Sequence, residues 1–234
     1  PALYRRSPAA VIGTLLAGLI ASAWGGLGPV YATQLGLSTT EGASMLAIAM
    51  IGGAIFQYPL GRVSDRMDRR KVMIFAGVVG VIACLITISF GVENRIIFFA
   101  GMMFLGTVLL PIYSLNVAHA NDHAMPDEFV EVSSGLMITY GVATMVGPVV
   151  TGVAMDWFGP HALFVVIAIC FAAYSGHAAW RISRREQPSE EMRSDFLPMA
   201  ALPDLTPQTA ELDPRSDPAY GEQNVEEEDE TAAS

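Results

Sequence analysis

The sequence predicts an all-α membrane protein, with six transmembrane helices in residues 1–185 disposed as two inverted three-helix repeats, and a disordered acidic tail over residues 186–234. Three observations carry that expectation. The 234 residues are 52% apolar and 15% charged, against about 25% charged in a soluble domain. The apolar residues gather into six runs, each close to the ~20 residues that a helix needs to cross a bilayer. Five of the thirteen Lys and Arg residues fall in one eleven-residue stretch, Gly61 to Lys71, squeezed between two of these runs. Positive charge is translocated poorly, so loops dense in Arg stay on the cytoplasmic side.

The first run extends from Ala9 to Ala32 and the second from Gly42 to Leu60. The third covers Val72 to Phe90, the fourth Ile96 to Ala118, the fifth Val132 to Met155 and the sixth Ala162 to Trp180. Each is apolar on every side, as suits a helix surrounded by lipid, rather than on one face. Small residues recur through them and let helix backbones approach where no hydrophobic effect drives association. Gly52, Gly53, Gly77, Gly80, Gly101, Gly106, Gly141 and Gly147 are read as packing positions, and Pro59, Pro111 and Pro148 as kinks. Cys84 and Cys170 lie inside apolar runs and read as small buried hydrophobes. They form neither a disulfide framework nor a metal spacing.

Charge sets the orientation. Arg5 and Arg6 precede the first run, the Gly61–Lys71 cluster follows the second, and Arg181, Arg184 and Arg185 follow the sixth. Only Arg95 lies on the opposite side, and ten bases against one place both termini in the cytoplasm. The loop Asn121 to Glu131 has four acids and no base; acids count little in this rule, so it dissents weakly. Residues 186–234 hold fourteen acids and two bases. They are rich in Pro, Ser and Thr and have too little apolar surface to order themselves. The net charge of −10 therefore belongs to the tail, and no basic surface for nucleic acid is in view. The chain opens at Pro1 without a charged n-region, a short apolar core or an A-x-A site. The start reads as a cut end or the middle of a longer chain.

The ends of the second and fifth runs look alike. Gly61-x-x-x-Asp65 follows Pro59, and Gly152-x-x-x-Asp156 follows Pro148. If runs one to three and four to six are copies of one unit, these are equivalent positions. Three spans per copy invert the second copy in the membrane, an arrangement common in secondary transporters.

The stretch Gly61-Arg-Val-Ser-Asp65-Arg66-Met-Asp68-Arg69-Arg70 resembles motif A of the major facilitator superfamily, commonly G-x-x-x-D-R-x-G-R-R. Gly61, Asp65, Arg66, Arg69 and Arg70 match, and Asp68 stands where the family usually has Gly. Tyr140 followed by Gly147-Pro148 resembles the Gly-Pro motif of the equivalent helix. Gln57-Tyr-Pro59-Leu-Gly61 and Leu110-Pro111-Ile-Tyr113 are similar to the second half of YcaD-type facilitators. The resemblance covers about residues 5–185. It implies the C-terminal six-helix half of a plasma-membrane carrier that moves a small organic solute by alternating access. The implied partners are the bilayer, the solute, and a missing N-terminal half, or a second copy as a homodimer. Asp65 would then meet a helix N-terminus of the other half, favoured by the helix dipole. Arg66, Arg69 and Arg70 would hold the loop through charge-assisted bonds and lipid headgroups.

Polar residues inside the membrane are costly, so each is a candidate for the solute site. These are Trp24 and Thr14 in the first run, Gln57 in the second, and Thr107, Tyr113 and Asn116 in the fourth, with Tyr140 and Thr144 in the fifth. For Thr and Tyr the alternative is an interhelical hydrogen bond or an interfacial ring. No Asp, Glu, Lys or Arg lies mid-membrane, and His177 lies near the end of the sixth run. His119 and His123 are four apart without a third ligand, so no metal and no cofactor are expected. An intramembrane enzyme would need a G-x-S-x-G or H-E-x-x-H pattern, which is missing. A membrane anchor that displays the acidic tail remains a third class.

Overall fold

The structure, a computed structural model, describes residues 8–90, 94–122 and 129–183. The tail 186–234, the bases Arg5, Arg6, Arg184 and Arg185, and most of the Asn121–Glu131 loop with His123 lie outside the described residues. The described residues form helices joined by short turns, with no strand among them, in the order α1 (Pro8–Gln34), α2 (Thr39–Arg66), α3 (Arg69–Phe90), α4 (Arg95–Leu109), α5 (Pro111–Asn121), α6 (Phe129–Phe158) and α7 (Ala162–Ile182). With α4 and α5 taken together, six helical stretches are long and apolar enough to cross a membrane.

Two boundaries differ from the sequence reading. Gly61–Lys71 is not a loop: α2 runs on to Arg66, α3 starts at Arg69, and only Met67 and Asp68 join them. Hydropathy marks where the bilayer ends, whereas the backbone keeps its i→i−4 bonds for another turn beyond it. The fourth run is interrupted at Leu110, where Pro111 begins α5 without an N–H to donate. Pro59 and Pro148, in contrast, stay inside α2 and α6. The turns have local causes. Ser38 and Glu41 form a reciprocal capping box at the start of α2. Asn94 caps α4 by accepting from the N–H groups of Ile96 and Ile97. Gly159 ends α6 at φ +83°, a left-handed conformation that favours glycine.

Three helix pairs make the most extensive contacts: α1 with α6, α2 with α4, and α3 with α7. Exchanging the first three spans for the last three leaves this pattern unchanged, as two copies of a three-helix unit require. Each pair is seated on glycines. A Cβ on Gly18 would strike Ala143 and the Tyr140 carbonyl, and one on Gly147 would strike Ser22. Gly52 lies against the Met103 carbonyl and Gly106 against that of Ala49. Gly77 and Gly80 lie against Ser175 and Phe171. Small residues thus set the helix separations, as expected where packing rather than the hydrophobic effect drives association. The core gathers Tyr31, Met45, Met73, Met102, Leu105, Phe164 and Phe171. The membrane windows of α2 and α6 are each 22% buried, against 39–61% for the other spans, so these two helices offer the most open faces.

Candidate functional site

Two features stand out, one at an end of the bundle and one midway along it. At the end, Arg69 opens α3 and is 2% exposed. Its Nε donates to Asp122 at 2.7 Å, and its Nη1 donates to Asp65 at 3.0 Å and to Ser64 Oγ at 3.1 Å. A guanidinium can be buried only when its donors find such partners, since the cost of desolvation is otherwise several kcal/mol, ~3–5 when a pair is broken. Asp122 directly follows the C-terminus of α5, where the helix dipole disfavours a carboxylate. Arg69 offsets that penalty and ties α2, α3 and α5 together.

Asp68 accepts at one oxygen from the backbone N–H of Arg70 at 3.0 Å and from Arg70 Nε at 3.1 Å. It is therefore the N-cap of α3. No non-glycine residue among those described has a positive φ, so this turn makes no demand for glycine at position 68. Arg70 also reaches the Arg181 carbonyl at 3.4 Å, joining α3 to the end of α7. Arg66 and Lys71 are exposed and make no ion pair among the described residues. At the opposite end Glu41 pairs with Arg95, and Tyr31 Oη lies 3.3 Å from His161 Nδ1.

Midway along the helices is a cavity of 620 Å³. It is lined from α1 by Ala21, Ser22, Trp24, Gly25 and Gly26, from α2 by Leu46 and Met50, and from the α4–α5 break by Leu109, Leu110 and Tyr113. Met137, Tyr140, Gly141, Thr144 and Pro148 of α6 complete the wall. Helices α3 and α7 do not line it. The rings of Tyr113 and Tyr140 meet edge to face, 4.9 Å between centroids. Trp24 links the wall to the core through Phe164, 6.1 Å away. Gly25, Gly26 and Met50 are exposed, so the cavity opens at the bundle surface.

Trp24, Tyr113, Tyr140 and Thr144 thus come together from three separate helices, α1, α5 and α6. Gln57, Thr107 and Asn116 do not line the cavity. Thr107 is buried and donates to the Phe104 carbonyl of its own helix at 2.7 Å. Asn116 is fully buried: Nδ2 donates to the Ile112 carbonyl at 2.7 Å, and Oδ1 accepts from Tyr174 at 3.3 Å. A Cβ on Gly13 would overlap its amide, so Asn116 packs α5 against α1 and α7. Pro148 and the Pro111 junction shape the wall, while Gly147 seats α6 on α1. Sequence reasoning missed Ser64, whose only signal was a polar side chain inside the motif, and Asp122, which lies 53 residues from Arg69, and also Ser22, Met50 and Met137.

Residues 10–209 match the family model described as Major Facilitator Superfamily, most of the chain's length. The chain belongs to the major facilitator superfamily. Among curated facilitators, an uncharacterized MFS-type transporter of Yersinia pestis is 27% identical over 172 residues. That alignment covers 72% of this chain and 43% of the relative. The uncharacterized MFS-type transporter YcaD of Escherichia fergusonii is 25% identical over 167 residues, covering 70% of this chain and 42% of the relative. The chain therefore spans less than half the length of the facilitators it matches. It is a multi-pass membrane protein of a transporter family.

Proposed function

We propose that this chain is the C-terminal six-helix half of a secondary carrier, which moves a small organic solute across the plasma membrane by alternating access. The observation that carries the reading is the cavity midway along α1, α2, α4–α5 and α6, open on one side. A solute site at that depth, between two bundles that rock about it, is how such carriers work. The open side would face the other half, and the exposed faces of α2 and α6 would meet it. The Arg69 cluster would lie at the cytoplasmic end, with both termini on that side. There it would brace the α2–α3 corner while Asp65, whose side chain is 29% exposed, meets a helix N-terminus of the other half. Loss of the charge would matter in one conformational state and not for insertion. Asp65→Asn in the full-length carrier should therefore lower solute flux in proteoliposomes more than it lowers expression. Unchanged flux per molecule would remove the gating role. Orientation is tested by an impermeant maleimide on intact cells, expected to reach Thr40→Cys and not Lys71→Cys.

A further inference from the structure

We propose that the cavity wall of this chain selects hydrophobic organic cations. The proposal rests on the carrier reading and adds the chemical class of its solute. Three aromatic residues, Trp24, Tyr113 and Tyr140, stand on the wall, and the negative faces of such rings attract a cation. Met50 and Met137 add polarizable thioethers that adapt to an apolar body. The two aliphatic hydroxyls are already committed as donors. Ser22 donates to the Leu19 carbonyl at 3.2 Å and Thr144 to the Gly141 carbonyl at 2.7 Å. What they retain is acceptor capacity. The wall lies in helix interiors, where backbone N–H groups bond their own helix.

Among the described residues no Lys, Arg or His lines the cavity, and no Asp or Glu. An anion entering it would lose its hydration and gain no cationic partner. A small inorganic cation would find no carboxylate to replace its water. A large organic cation with delocalised or shielded charge has little hydration to lose and gains an aromatic wall and lone pairs. At 620 Å³ the cavity has the size of sites for small organic ligands, roughly 300–1,000 Å³.

The test uses two probes of the same shape and opposite charge, tetraphenylphosphonium and tetraphenylborate. Equilibrium dialysis against the full 234-residue chain in detergent measures both. A second arm uses Gly141→Leu, because Gly141 lines the cavity and a Cβ there meets no atom within 4 Å, leaving open space for the larger side chain. The phosphonium should bind saturably and at least about tenfold more tightly than the borate. Gly141→Leu should weaken it by about tenfold while the melting temperature holds. Borate binding as tight as phosphonium, phosphonium binding indifferent to Gly141→Leu, or no saturable phosphonium binding would each overturn the proposal. Flux in the full-length carrier separates the two readings. A carrier that moves only anions or neutral solutes sinks the cation class and keeps transport. A chain that binds the phosphonium in the cavity, within a full-length protein that moves nothing, keeps the class and sinks transport.

Discussion

Arg69 shows how one side chain can fix three helices. It is buried with carboxylates from α2 and from the end of α5, and removing it would leave Asp122 charged, buried and short of its partner. Breaking such a pair costs about 3–5 kcal/mol, whereas deleting both charges together costs much less. Arg69→Gln should therefore lower the melting temperature of the purified chain sharply, and Arg69→Gln with Asp122→Asn should recover a large part of the loss. If the two changes simply add, the ion pair does not couple them. Arg66→Gln and Lys71→Gln, at exposed positions, should each stay within about 0.5 kcal/mol of the parent. Half of this site was legible in the sequence. Arg69 stood in a recognisable motif, but Asp122 lies 53 residues away, and nothing local marks an acid as the partner of a distant Arg. Asp68 was legible only as a departure from the family pattern. In the folded chain it is an ordinary helix cap, a role that Asp before a helical Arg-Arg pair serves well.

At the scale of elements, the six spans were readable because lipid exposure forces long apolar runs, but their partners were not. Which helix faces which depends on where glycines meet a neighbouring carbonyl, and that needs three dimensions. The ends of the spans were also hidden, because helical hydrogen bonding continues through the polar turn Gly61–Arg66 after hydropathy has fallen. The break at Leu110 is the counterpart: hydropathy is continuous there, while Pro111 withholds a donor. The glycine seats make a sharp comparison possible. At Gly106 a single methyl would overlap the Ala49 backbone and push α2 from α4, whereas at Gly176 it would meet nothing within 4 Å. Gly106→Ala should cost about 1–3 kcal/mol through overpacking. Gly176→Ala should be neutral or stabilising by up to about 1 kcal/mol, since Ala suits a helix better than Gly. Thermal unfolding of the two variants in the same detergent decides it. Equal melting temperatures would mean that the α2–α4 contact is not set by Gly106.

At the scale of the whole molecule, the two least buried spans are α2 and α6, and the cavity opens on the side they flank. Their outward residues, among them Met50, Ile51, Ile55, Ile138, Met145 and Val149, are large, apolar and exposed. Lipid satisfies such a surface as well as a second bundle would. Carriage asks more. A site that alternates between the two sides of a membrane needs walls that rock against each other, and this chain matches only 43% of the length of its Yersinia relative. On the half-carrier reading, this chain by itself leaves the cavity open to lipid on one side, and Asp65 away from the helix end proposed to meet it. The chain alone, reconstituted in liposomes, is therefore expected to carry no solute-dependent flux above protein-free vesicles. Co-expression with a complementary six-helix half should restore flux, because the closed cavity and the Asp65 contact would form together. Flux from the chain alone would overturn the half-carrier reading. Crosslinking through α2 and α6 would then show whether a second copy takes the place of the missing half. In that case flux should require the crosslinkable dimer and fall when a bulky charged residue such as Ile138→Arg is set into the shared face.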